Sequence, residues 1–120
     1  MNENTIHQST RSRFDAYDVA LQAVVALRPI AGRVRRHDPS LYRQMQRAAD
    51  SMVLNLGEGS YNEAGTRLER FRSASGSANE VSAALDLAVA WGHAQPAQVA
   101  EAQELLDRVR AMLWRLTRGR

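Results

Sequence analysis

Residues 47–80 read RAADSMVLNLGEGSYNEAGTRLERFRSASGSANE. Apolar residues recur there at three- and four-residue steps, the period of an α-helix. Ala49, Met52 and Leu56 hold that period before a short break around Gly57, Gly59, Asn62 and Gly65. Leu68, Phe71, Ala74 and Ala78 take it up afterwards. Each half also carries a second line at helical spacing. On the first it is Ala48, Ser51, Asn55 and Glu58. On the second it is Ser73, Ser77 and Glu80, continuing as Ala84, Leu87 and Trp91. A helix in a monomeric bundle needs one apolar stripe. Two lines on both helices imply burial on two sides.

The same period organises the flanks. Residues 15–36 form an earlier helix, with Ala16, Ala20, Ala23, Val24, Leu27, Ala31 and Val34 on one face. Asp15 and Asp18 near its start, and Arg33, Arg35 and Arg36 near its end, complement the helix dipole. Pro29 lies inside it and predicts a kink. Asp38-Pro39 is a restart signal, an N-cap followed by proline at the first helical position. The second helix then runs to about Gly57, with Leu41, Met45, Ala49, Met52 and Leu56 inward, and Gly57 and Gly59 close it. Residues 60–65 read as a turn, and Thr66-Arg67-Leu68-Glu69 as a capping box opening the third helix. That helix continues to about Trp91, with Gly92 as terminator and Leu68, Phe71, Ala74, Ser75, Ala78, Val81, Leu85, Ala88 and Val89 inward. Gln95-Pro96 restarts the chain. The fourth helix runs to about Thr117, with Val99, Ala102, Leu105, Leu106, Val109, Met112, Leu113 and Leu116 inward. Four amphipathic helices with short connections predict an all-α, antiparallel, up-down-up-down four-helix bundle.

The 120 residues suit one domain with one core: a bundle over 14–117, a polar N-terminal tail over 1–13 that frays, and a basic tail over 118–120. Cysteine is absent, which removes disulfides and thiolate metal sites. No apolar run reaches the length of a membrane span, and the first residues lack the apolar core of a signal peptide. The expectation is a cytoplasmic protein with no membrane partner. The formal net charge is +3, and every basic residue counted in it is arginine. Such a charge permits nucleic-acid binding without demanding it. An arginine excess also arises simply from a GC-rich genome.

The chemistry-bearing residues point away from catalysis. Bundle metal sites use Glu-x-x-His pairs with further inward carboxylates, and none of His7, His37 and His93 has Glu three residues before it. Metalloprotease, phosphate-loop and dinucleotide motifs are absent. No catalytic residue, metal ligand or cofactor site is therefore assigned, and the chain reads as non-enzymatic; a metal-binding bundle enzyme is the remote alternative. A helix-turn-helix reading of residues 74–81 fails because the apolar stripe runs through Gly76 unbroken. Ser51, Asn55, Glu58, Ser77 and Glu80 read instead as a partly buried polar layer, with Arg47 and Arg70 as cationic partners. Leu54, Leu87, Trp91 and Trp114, together with Leu21 and Val25, lie off the core stripes and predict a contact surface for a homo-oligomer. The bundle topology gathers Arg11, Arg13, Arg67, Arg70, Arg72, Arg115, Arg118 and Arg120 at one end, a candidate phosphate surface for RNA or DNA. Its ordinary alternative is a solvated end offset by Asp15, Asp18, Glu63 and Glu69.

Ser51-Met-Val-Leu-Asn55-Leu-Gly-Glu58-Gly59, followed by Phe71-Arg-Ser-Ala74-Ser-Gly76-Ser77-Ala-Asn-Glu80, resembles the paired motif of the bacterial four helix bundle protein family. That family includes proteins encoded in intervening sequences of 23S ribosomal RNA genes. Its pattern is roughly S-I-x-x-N-I-A-E-G, then F-L-x-x-A-x-G-S-x-x-E. The likeness spans about 14–117. It departs at Gly57 where Ala is usual, at Arg72 where an apolar residue is usual, and at Met52 for Ile or Val. The resemblance implies a homopentameric ring, in which the basic end would be multiplied into a rim. It extends in fold to the accessory proteins of diversity-generating retroelements, basic pentamers that bind a reverse transcriptase and nucleic acid. The Asn55/Glu58 motif points to the intervening-sequence branch.

Overall fold

Asp38 joins two helices by itself. Its backbone N–H donates to the Val34 carbonyl at 2.7 Å and so closes the last turn of one helix. Its own carbonyl accepts from the Tyr42 N–H at 3.0 Å and opens the next. Its carboxylate accepts from the Leu41 N–H at 3.0 Å, capping a helix that begins at Pro39. The computed structural model describes residues 15–60 and 64–118. In it α1 spans Asp15–His37, α2 Pro39–Gly59, α3 Ala64–Ala90 and α4 Pro96–Thr117. The N-terminal tail expected over 1–13, and positions 61–63 of the expected turn, lie outside the described residues.

Each helix packs on the two beside it, α1 on α2 and α4, and α3 on α2 and α4. The contacts fix the directions. Ser51 of α2 meets Ser77 of α3, and Asn55 meets Arg70. Ser82 of α3 meets Gln103 of α4, and Ala78 meets Arg110. Both pairings run antiparallel, as an up-down-up-down bundle requires. The core is built from Ala20, Ala23 and Val34 of α1, Met52 and Leu56 of α2, Val81 and Leu85 of α3, and Leu106, Val109 and Leu113 of α4, all buried. Alanine is frequent along these stripes, so the helices approach closely. No buried residue is polar or charged among those described. A polar seam on the α3–α4 side had no sequence motif to announce it. The Ser82 hydroxyl donates to Gln103 Oε1 at 2.6 Å, and Gln103 Nε2 donates to the Ser82 carbonyl and to Asp86 Oδ1.

Helix α1 runs through Pro29 as one element, as the continuous apolar stripe predicts, while several other boundaries differ from the sequence expectation. The carbonyl that proline leaves without a donor belongs to Val25, and both residues are exposed, so water can take the donor's place. Helix α2 continues through Gly57 to Gly59, where the Ser60 hydroxyl donates to the Gly57 carbonyl at 2.8 Å. Helix α3 is already formed at Ala64, so Thr66 lies inside its first turn and the expected capping box does not open it. Gly92 ends the α3 region as expected, with φ of +83°, in the left-handed region that glycine enters without steric cost. Leu116, expected inward, is exposed. Ala84, expected on the second line of α3, is buried in the core.

The two glycines near the end of α2 are not equivalent. A Cβ on Gly59 would stand 2.6 Å from the buried Phe71 ring, whereas one on Gly57 would meet only the edge of Tyr17 at 3.4 Å. Gly59→Ala is therefore expected to destabilise the fold by about 1–3 kcal/mol through overpacking. Gly57→Ala should stabilise it by up to about 1 kcal/mol through helix propensity. Chemical denaturation of the two variants beside the parent chain checks the opposite signs.

Candidate functional site

The polar residues singled out in the sequence meet along the outer seam between α2 and α3. The Ser77 hydroxyl donates to Ser51 Oγ at 2.9 Å. Asn55 Nδ2 donates to the same oxygen at 3.1 Å and to the Ser51 carbonyl at 2.9 Å. Ser51 Oγ thus uses both lone pairs as acceptor sites. Asn55 Oδ1 accepts from Arg70 Nη1 at 3.2 Å, and Arg70 Nη2 stands 3.9 Å from Glu58 Oε1. The chain of contacts therefore runs from the Ser51–Ser77 pair to the Arg70–Glu58 pair, crossing from helix to helix. Ser51, Asn55 and Ser77 are half-buried, while Glu58 and Arg70 are exposed.

Two members of the expected layer stand apart. Glu80 is exposed and forms no hydrogen bond or ion pair among the described residues. Arg47 lines an open depression together with Asp50, Ser51, Leu54, Asn55, Glu58 and Arg70, but bonds to none of them. The depression brings two carboxylates near two guanidiniums without histidine or a nucleophile paired with a base. Among the described residues no three His, Asp or Glu side chains converge closely enough to hold a metal ion. The seam is suited to hold helices in register rather than to move protons.

The arginines fall into two groups. At the end anticipated from sequence, Arg67, Arg70, Arg72, Arg115 and Arg118 are exposed, with Asp15, Asp18, Glu58 and Glu69 on the same helix ends. Arg11, Arg13 and Arg120, assigned to that end, lie outside the described residues. The opposite end holds a second cluster, of which Arg33, Arg35 and Arg36 are the residues the sequence assigns to the α1 dipole. Arg33, Arg35, Arg36 and Arg43 gather about the α1–α2 junction, where Asp38 is the nearest acid along the chain. Arg33 Nε donates to the His93 carbonyl at 3.1 Å, and the Arg35 guanidinium lies 5.7 Å from the Tyr42 ring centre. His37 and His93 stack there at 5.5 Å, with His93 Nε2 3.6 Å from Asp38. The available signal was the one-residue connection, which brings the end of α1 and the first turns of α2 to one corner. Among the described residues, only Arg70 and Arg110 of all the arginines have a carboxylate within ion-pair range.

The large exposed apolar side chains also separate by place. Leu54 and Trp91 are each 67% exposed; Leu54 projects from α2, Leu87 from α3, and Trp91 from the turn that follows α3. Leu21 and Val25 project from α1. Trp114, expected to share their surface, stands on α4 beneath the Arg118 guanidinium.

Three comparisons bear on this arrangement. The family model described as "23S rRNA-intervening sequence protein" matches residues 13–115. A crystal structure of a protein of unknown function, from the S23 ribosomal protein family of Bacteroides thetaiotaomicron, superposes with a TM-score of 0.79 at 15% sequence identity. The match covers 87% of this chain and 99% of that one; at such an identity it speaks to the fold. No curated protein matches the chain. The α2–α3 seam is open to a direct check. Asn55→Ala removes its crossing point and should cost about 1–2 kcal/mol, while Glu80→Gln should change stability by no more than about 0.5 kcal/mol. Thermal unfolding of both variants at one protein concentration reads the difference.

Proposed function

The chain belongs to the 23S rRNA-intervening sequence protein family, and on that footing we propose that it is a non-enzymatic, self-associating scaffold that binds RNA or DNA in the cytoplasm. The observation that carries the nucleic-acid half is the state of the arginines. Most of them stand exposed at the two ends of the bundle without a carboxylate partner among the described residues. A guanidinium in that state offers its planar set of donors to phosphate. Both clusters contribute, the Arg67/Arg72/Arg115 end and the Arg35/Arg36/Arg43 corner.

Self-association rests on Leu54, Leu87 and Trp91. Leu54 stands on α2, Leu87 on α3 and Trp91 just past its end, all outside the core, and exposed apolar side chains of this size support protein contacts. The family resemblance makes a homopentameric ring the expected assembly, which would repeat each arginine cluster around its axis. A second reading is an accessory protein of a diversity-generating retroelement that holds a reverse transcriptase. It draws on the basic close of α4, Arg115 and Arg118; the Asn55 and Glu58 pair favours the first. A reverse-transcriptase gene with a template repeat beside this one would select the second reading.

Binding to RNA and DNA across a salt series tests the proposal. Affinity should fall steeply with salt. Replacing Arg35, Arg36 and Arg43 by Gln should flatten the logarithmic slope by roughly 0.7–0.9 for each phosphate that is no longer neutralised. No binding at low salt, or a slope unmoved by replacing either cluster, overturns the reading. Light scattering should show a multimer, and Leu54→Arg together with Trp91→Arg should convert it to protomers. A monomeric parent chain would end the scaffold proposal.

A further inference from the structure

The last turns of α4 present an aromatic ring framed by cations. Trp114 is 57% exposed, and the Arg118 guanidinium lies 3.8 Å from its ring centre. The pair is four residues apart, so it lies along one helix face. The Arg118 backbone N–H donates to the Trp114 carbonyl at 3.0 Å and holds the last turn closed. Arg115 is exposed on the same turn. Helices α3 and α4 run antiparallel, with Arg110 Nη1 donating to the Ala78 carbonyl at 3.3 Å. One turn further along α4, Trp114 therefore comes beside the part of α3 that carries exposed Arg72. None of Arg72, Arg115 and Arg118 has a carboxylate partner among the described residues.

The arrangement has a definite chemistry. An indole in solvent offers a π-face to a planar partner, and a stacked guanidinium keeps that face ordered by cation–π attraction. Three unpaired cations around it would repel a second copy of the same patch. They match a polyanion whose planar groups are free to stack. Paired bases in a duplex are already stacked on one another, so only an unpaired base can reach the ring.

We infer that Trp114 and Arg118 form a stacking platform for an unpaired nucleobase, with Arg72 and Arg115 holding phosphates on either side. The ligand class is single-stranded RNA or DNA. This inference rests on the nucleic-acid reading above and adds its strandedness and its contact residue. The base stacks on the part of the indole left in solvent or takes the place of Arg118, which then turns to the adjacent phosphate. Either course covers the ring.

The test titrates the full chain with short oligoadenylate, oligodeoxyadenylate and a duplex of equal length, following tryptophan fluorescence and binding anisotropy. Both single strands should quench fluorescence and bind more tightly than the duplex; a difference between them reports a contact to the 2′-hydroxyl. Trp114→Phe, which leaves Trp91 in place, should bind but lose the quench. Trp114→Ala should bind roughly 5- to 150-fold more weakly, the equivalent of losing one stacked base, with an unchanged salt slope. Arg115→Ala, which removes a phosphate contact, should flatten that slope by about 0.7. Three results overturn the inference while leaving the broader reading intact: equal affinity of Trp114→Ala, equal quenching by the duplex, or a smaller assembly for Trp114→Ala by light scattering, which would make Trp114 a subunit contact. No binding of any strand at low salt overturns both.

Discussion

At Gly59 the end of α2 runs so close to the buried Phe71 ring that no methyl group fits between them. Their approach sets the spacing of α2 and α3 at that end of the bundle. The Ser51–Ser77 and Asn55–Arg70 contacts then depend on it, because hydroxyl and amide groups reach only about 3 Å. A wider gap would leave half-buried polar groups without partners, at a cost of about 1–3 kcal/mol for each. The tight contact and the polar seam therefore act together. One holds the helices near, and the other fixes how far each has slid along its neighbour. Apolar stripes rich in alanine would not fix that slide alone, since one small side chain packs much like the next.

This explains what could be read from the sequence. Helices α1, α2 and α4 carry one continuous apolar stripe, and Asp38-Pro39 and Gln95-Pro96 mark where α2 and α4 begin, so their starts and most of their inward faces were legible, though α2 ran on to Gly59 and Leu116 turned out exposed. The α2–α3 seam was legible because Ser51, Asn55 and Ser77 broke the pattern at helical spacing. Helix α3 was harder to read, since its small residues occur on nearly every side. Ala84 could be placed on either face, and only the packing puts it in the core. Thr66-Glu69 has the spacing of a cap, yet the chain becomes helical two residues earlier, so a local motif lost to a longer helix. Glu80 shares the periodicity of the seam without sharing its contacts. Spacing names a face, and a hydrogen bond also needs a partner at that height.

The charge pattern shows a related limit. Arginines at the end of α1 satisfy the helix dipole, and a sequence reading has no reason to ask more of them. Folding turns the chain back after a single residue, and Arg43 then joins Arg33, Arg35 and Arg36 at one corner. The opposite end looked richer in the sequence, but Asp15, Asp18, Glu58 and Glu69 accompany its arginines. Local charge is thus set by connection length as much as by composition. A one-residue junction condenses what a longer loop would spread.

That junction has another consequence. The hydrogen-bond ladders of α1 and α2 meet at Asp38, and one residue's change of backbone angle is all that separates two antiparallel helices from one continuous rod. A chain that straightened there would offer its α1 to another copy and exchange halves with it. Pro39 stands against this. Its ring disfavours helical geometry in the residue before it, and Asp38 is held at φ −153° and ψ 82°. The proline that starts α2 also keeps the chain folded upon itself, so that its first helix packs on its own bundle and is not lent to another copy.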